Sequence, residues 1–155
     1  GSLPTGAWGA GIMAFVTQGR FRGELGAALW PRSRALATTQ PGAGASMYLR
    51  TLGLRTCLTA LTALHLDACM HAEGGIARAT GFGISRPSTS NGRWFAAFVR
   101  LAARPFAWGE LIPRFTVELG MPVHYAEVTI ERVGHVHTPS PVLFRFGLGV
   151  ESKLF

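Results

Sequence analysis

Lysine is almost missing from this chain: Lys153 stands alone against fourteen arginines. Charged residues of both signs make up only 15% of the 155 residues, well below the share of about 25% in ordinary globular proteins. A solvated disordered tail and a charge-laced coiled coil are both excluded by that scarcity. Runs of basic residues are also missing. Arg20 and Arg22, Arg32 and Arg34, and Arg50 and Arg55 stand singly or in loose pairs, unlike the clustered stripe of a nucleic-acid binder. No stretch of about 20 apolar residues is free of charge. The most apolar region, Leu52 to Met70, is broken by Arg55, His65 and Asp67, so no membrane span is expected.

Cysteine is scarce as well. Cys57 and Cys69 are the only two and no C-x-x-C occurs, which excludes a secreted disulfide scaffold. On one helix their twelve-residue separation would put them roughly 18 Å apart, too far to bridge. The expectation is two free thiols in a reducing compartment, the cytoplasm. A mitochondrial location is the alternative, because residues 13–46 carry Arg20, Arg22, Arg32 and Arg34 against the single acid Glu24, as a transit peptide does.

What is present is apolar and basic. Hydrophobic residues reach 48% and the net charge is +7, enough for one core and for an attraction to anionic partners. Residues 1–46, with Pro4, Pro31, Pro41 and many glycines, read as a loop-rich N-terminal arm holding a short strand at Ile12 to Thr17. Residues 47–155 read as a single domain. Leu54, Leu58, Leu61 and His65 recur at three- and four-residue steps, which predicts a helix over Met47 to Met70 behind a Ser46 cap. Trp94, Phe98, Leu101 and Ala102 predict a second over Gly92 to Ala103, stopped by Pro105. Ile76 to Ile84 reads as a bulged strand between them. Alternation then sets in at Phe115, Val117 and Leu119, at Ala126, Val128 and Ile130, and at Phe144, Phe146, Leu148 and Val150, which predicts three half-buried strands. The fold class that follows is α+β, an antiparallel sheet with helices packed on one face.

Chemistry is harder to place. His65, Asp67, Cys69 and His71 fall within seven residues and His135 and His137 form an H-x-H pair. All are residue types that bind zinc, so His65, Cys69, His71, His135 and His137 make a metalloenzyme one alternative. No H-E-x-x-H or G-x-S-x-G context supports it, and a helix face with solvated ends is the plainer account. Gly6 to Gly11 and Gly81 to Gly83 do not open a helix after a strand, so no dinucleotide fingerprint is read. Trp94, Phe95, Phe98, Phe106 and Trp108 crowd into fifteen residues. They predict an aromatic pocket wall, with Arg100 or Arg104 to orient an acidic group and Glu110 as a nearby acid or base.

The order of several landmarks resembles an uncharacterised bacterial domain family often fused behind saccharopine-dehydrogenase-like NAD(P) domains. These are Tyr48-Leu49-Arg50-Thr51-Leu52-Gly53, Leu64-His65, Ala77-Arg78-Ala79, the stretch Arg100 to Leu119, Arg132, and Phe144-Arg145-Phe146-Gly147. Here Leu66 separates Leu64-His65 from Asp67, and a closing Gly-Trp segment is missing. The resemblance implies a stand-alone or accessory domain near lipid or redox metabolism and carries no catalytic residue.

The sequence therefore predicts binding of a small, largely apolar or amphipathic molecule with an acidic group. The pocket would lie between helices and sheet and be lined by Trp94, Phe98, Arg100, Arg104, Trp108 and Glu110. No cofactor is identified, and turnover and oligomeric state are left open. The alternative from another class is an Arg-rich subunit of a larger assembly, such as an organellar ribonucleoprotein, with nucleic acid as its partner.

Overall fold

Period-two alternation, rather than helical spacing, governs almost the whole chain. The computed structural model describes residues 7–36, 42–62, 65–84, 88–125, 140–152 and the backbone of 128–130 and 134–137. Nine strands run through them: β1 (Ala10–Gln18), β2 (Phe21–Leu36), β3 (Gly44–Leu61), β4 (Leu66–Phe82), β5 (Thr89–Ala103), β6 (Leu111–His124), β7 (Val128–Ile130), β8 (Gly134–His137) and β9 (Leu143–Ser152). Seven of them form one sheet in the order β1-β2-β3-β4-β5-β6-β9, and β7 and β8 pair as a separate hairpin. Every ladder is antiparallel.

The α+β expectation is thus corrected, since the described residues contain no α-helix. The segment read as the first helix is most of β3, a tight turn and the start of β4, and the second helix is β5. The apolar residues that suggested a helix are mostly one face of a strand. Leu52, Leu54 and Leu58 share the even positions of β3, while Leu49, Thr51, Gly53 and Cys57 occupy the buried odd positions. A strand with apolar residues on both faces offers three- and four-residue coincidences by chance. In β5 the two faces are Trp94, Ala96, Phe98, Arg100 and Ala102 against Phe95, Ala97, Val99 and Leu101. The stretch read as an arm carries β1 and β2, both part of the main sheet.

A single sheet with no second layer should leave both faces wet, yet one face here is buried. The explanation is curvature. Arg22 on β2 and Glu151 on β9 are five inter-strand steps apart, roughly 24 Å along a flat sheet, and their side chains meet at 2.8 and 3.0 Å. Arg145 on β9 meets Glu73 on β4 at 2.6 Å, and Arg114 on β6 meets Glu24 on β2 at 2.6 Å. The sheet therefore curls around its own inward side chains, as in a small barrel. No ladder joins β1 to β9 among the described residues, so a seam remains between them.

The connections differ at the two ends. At one end two turns are short, Gly19-Arg20 and residues 62–65, and the third spans residues 104–110. Gly19 takes the positive φ of 58° that the first central position of such a two-residue hairpin favours. At the other end lie residues 37–43, 83–88 and the long excursion 125–142 that contains β7 and β8. The inner wall towards this second end holds a compact apolar cluster, built from Ala45, Met47, Leu49, Ala79, Trp94, Ala96, Phe98 and Leu143.

Candidate functional site: an ion-paired inner wall

The strand registers arrange the inward residues in rows. One row crosses six strands as Arg22, Cys57, Cys69, Arg100, Glu118 and Arg145. The next row carries Glu24, Arg55, His71, Phe98, Gly120 and Leu143. Five of the eight acids of the chain, Glu24, Asp67, Glu73, Glu118 and Glu151, are buried here. Each has a basic partner. Glu24, only 1% exposed, accepts from Arg22 Nε at 2.7 Å and lies 2.6 Å from Arg114 Nη2 and 3.6 Å from Arg100 Nη1. Glu151 takes a two-pronged contact from Arg22 and a further one from Arg114 at 2.8 Å. Glu73 is gripped by both terminal nitrogens of Arg145 at 2.6 and 2.8 Å and accepts from Trp94 Nε1 at 2.8 Å. Glu118 lies 3.5 Å from both His71 Nδ1 and Arg100 Nε. Near the short-turn end, Asp67 accepts from Thr59 at 2.9 Å and pairs with Arg104 at 2.8 Å.

Planar arginine forks suit this wall, because two-pronged pairing and ring stacking both use the flat guanidinium. Arg145 stacks over Trp30 and Phe98 at 4.6 and 4.3 Å, and Arg22 over Phe15 at 3.6 Å. His71 stacks on Phe98 with centroids 5.2 Å apart. A cavity of about 480 Å³ remains beside the network. Met13, Phe15, Arg55, Glu73, Arg114 and Glu151 are among the residues around it, and because Ile12 and Val150 also line it, it reaches the outside through the seam.

The outer wall is the reverse. At one level Val16, Gly23, Thr56, Met70, Val99, Leu119 and Phe144 follow one another across all seven strands. The adjoining level reads Phe21, Leu58, Ala68, Leu101, Val117 and Phe146. Every large apolar side chain in these two levels is exposed. Soluble monomers rarely show a contiguous apolar patch beyond about 600 Å², and this one runs across all seven strands of the sheet.

Of the residues expected to line a ligand pocket, Trp94, Phe98 and Arg100 do converge, on the inner wall as partners of Glu73, His71 and Glu24. Arg104 sits at the end of β5 with Asp67. Trp108 and Glu110 lie exposed in the turn before β6, and do not join the others. The helices that were to form the other side of that pocket do not exist. Cys57 and Cys69 form a disulfide, which corrects the expectation of free thiols. A hairpin places them opposite each other with Cα atoms 4.0 Å apart, where a helix would have separated them. The bridge removes Cys69 as a metal ligand, His65 lies exposed in the turn before β4, and His71 points inward at Glu118. The side chains of His135 and His137 lie outside the described residues. Among the described residues no group of three or more His, Cys, Asp or Glu could hold a metal ion.

Arg22, Glu24, Arg55, Glu73, Arg114, Glu118, Arg145 and Glu151 were missed from sequence. Their signal was present in Phe21-Arg-Gly-Glu-Leu25 and Phe115-Thr-Val-Glu-Leu119, where charge alternates with bulk. Alternation alone does not say which face is inside. Comparison with family models, curated proteins and solved structures finds no match.

Proposed function

We propose that this chain is a membrane-embedded β-sheet domain of the barrel type, a scaffold whose outer wall faces acyl chains and whose inner wall is closed by its own ion pairs. One observation carries the reading: the polarity of the two walls is inverted relative to a protein dissolved in water. Leu119 and Val99 face out while Glu118 and Arg100 face in. Barrels in membranes alternate apolar-out and polar-in, with about 9–11 residues per crossing. The apolar outer positions of β5 run from Phe95 to Ala103 and those of β6 from Phe115 to Val123. Each covers about 27 Å of strand, or roughly 20 Å of height at a tilt of about 40°. No helix among the described residues is long and apolar enough to cross a membrane, and a sheet that spans needs none.

Three further features support the reading. The two shortest turns at one end and the long excursion 125–142 at the other follow the asymmetry of such barrels. Trp8 and Trp108, 75% and 81% exposed, lie at opposite ends of the apolar band, where amphipathic rings favour the membrane–water boundary. The disulfide fits an oxidising compartment in place of the reducing one expected from sequence. A partner subunit, as in the assembly reading, would cover one side of the molecule, whereas the apolar levels run across all seven strands. Pairs such as Arg145–Glu73 and Arg22–Glu151 occupy the inner wall beside the cavity, which fits an anchoring role better than an open channel.

The test is refolding from urea into phosphatidylcholine vesicles containing lipids brominated in the acyl chain. The expected result is protein that stays with the vesicles through a carbonate wash, has strand-rich circular dichroism and quenched tryptophan fluorescence, and gives no conductance steps in planar bilayers. A monodisperse folded protein in detergent-free buffer that ignores the vesicles would overturn the proposal.

A further inference from the structure

Inner and outer arginines are treated differently by this fold. Every inward arginine described above has a carboxylate beside it. Arg50, Arg78 and Arg93 lie on the outer wall, exposed, at the end with the longer connections. Their registers bring them together. Arg50, Ile76 and Arg93 share one level on β3, β4 and β5, and Arg78 stands one outward step above, at the level of Tyr48 and Asn91. Arg78 is therefore the diagonal neighbour of both others, about 7–8 Å away by backbone.

No acid faces them among the described residues. Five acids point inward, Glu110 is in a turn at the opposite end, and Glu127 and Glu131 lie outside the described residues. Like charges on adjacent strands repel, so three arginines so placed call for an anionic counterpart from outside. Directly below them the outer wall turns apolar, with Leu52, Gly74 and Phe95 at the next level. Directly above come Ser46, Thr80 and Thr89. Tyr48 is half-buried between, with the Arg50 guanidinium 5.2 Å from its ring. Apolar wall, aromatic ring, arginines and then hydroxyls is the sequence of environments a membrane boundary presents.

We propose that Arg50, Arg78 and Arg93 bind the phosphate of an anionic lipid head group whose chains lie along Leu52 and Phe95. The inference rests on the membrane reading above. Guanidinium forks pair with phosphate oxygens in two-pronged fashion, and the apolar level below favours a phosphate that comes with acyl chains over free phosphate or a nucleic acid.

The full chain, refolded in vesicles of phosphatidylcholine mixed with phosphatidylglycerol, would be extracted in mild detergent and its bound lipid read by native mass spectrometry. Wild type is expected to retain phosphatidylglycerol over phosphatidylcholine by on the order of tenfold. The triple variant Arg50→Gln, Arg78→Gln, Arg93→Gln should lose that preference while inserting normally, and Arg20→Gln at the opposite end should keep it. Excess inorganic phosphate should not displace the lipid. Equal retention by wild type and triple variant, an equal loss in R20Q, or displacement by phosphate or single-stranded RNA would each overturn the site while leaving insertion intact. Failure of wild type to insert in any vesicle would instead overturn the membrane reading, and the site with it.

Discussion

Glu118 and Leu119 are joined by one peptide bond and live in opposite surroundings. Glu118 is buried against His71, Arg100 and Arg55, while Leu119 stands half exposed among Val99 and Phe144. The same contrast repeats along β2, β5 and β9. In a water-soluble sandwich the apolar face would close on a second layer and the charges would face out. Here the curl of one sheet encloses the charges, and the enclosed side has too few apolar groups for a conventional core. Only the part near the longer connections, around Trp94, Leu49 and Leu143, resembles one. The inner wall thus derives its order from paired ions, while the outer wall presents apolar side chains that no second layer covers.

The sharpest way to break the inner wall is to remove a carboxylate and leave its cations. Glu24→Ala would remove the carboxylate shared by Arg22, Arg100 and Arg114, leaving three buried cations to Glu151 and Glu118 alone. Loss of one partner of a buried pair costs about 3–5 kcal/mol, so the urea midpoint for unfolding from vesicles should fall further than for any other single change proposed here. On the outer wall the sensitive change is the opposite one. Val99→Arg places a charge in mid-band, where lipid exposure costs about 2–4 kcal/mol; the same urea titration should register it in vesicles. A surface in water would instead tolerate it within about 0.5 kcal/mol, so a null effect there would count against lipid contact. The smallest effect is expected at the junction of the two inner regions. Trp94→Phe keeps the ring in the apolar cluster and removes the donor to Glu73, for a loss of about 1 kcal/mol with Arg145 still in place.

Much of the strand pattern was legible in the sequence and its sense was not. The alternations at Phe115–Leu119 and Phe144–Val150 correspond to β6 and β9, and Ile12 to Thr17 falls within β1. The bulky residues of β6 and β9 lie on the exposed face, whereas alternation alone predicts them as the buried set. β3 and β5 were misread as helices because both faces of β5 are apolar and β3 mixes Leu49 and Cys57 into its inner face. The cysteine pair was misjudged by the same error, since a distance along one helix becomes a direct contact across a hairpin. Within the expected site, Trp94, Phe98 and Arg100 lie on one face of β5 because residues two apart on a strand share a face, a grouping that the helical spacing of Trp94, Phe98, Leu101 and Ala102 does not give. Their partners Glu24, Glu73 and His71 come from other strands, and no local pattern announces pairings that depend on how the sheet rolls up.

One consequence follows from counting headings. Six successive reversals of direction leave β1 and β9 pointing the same way on either side of the gap. A zipper drawn directly between them would be the lone parallel pairing in an otherwise alternating sheet. Any strand filling the gap must travel opposite to both, from the short-turn end towards the long-connection end. Bare strand borders in hydrocarbon cost several kcal/mol per unmatched peptide group, so on the membrane reading proposed above this vertical line is where the domain has most to gain from one added partner.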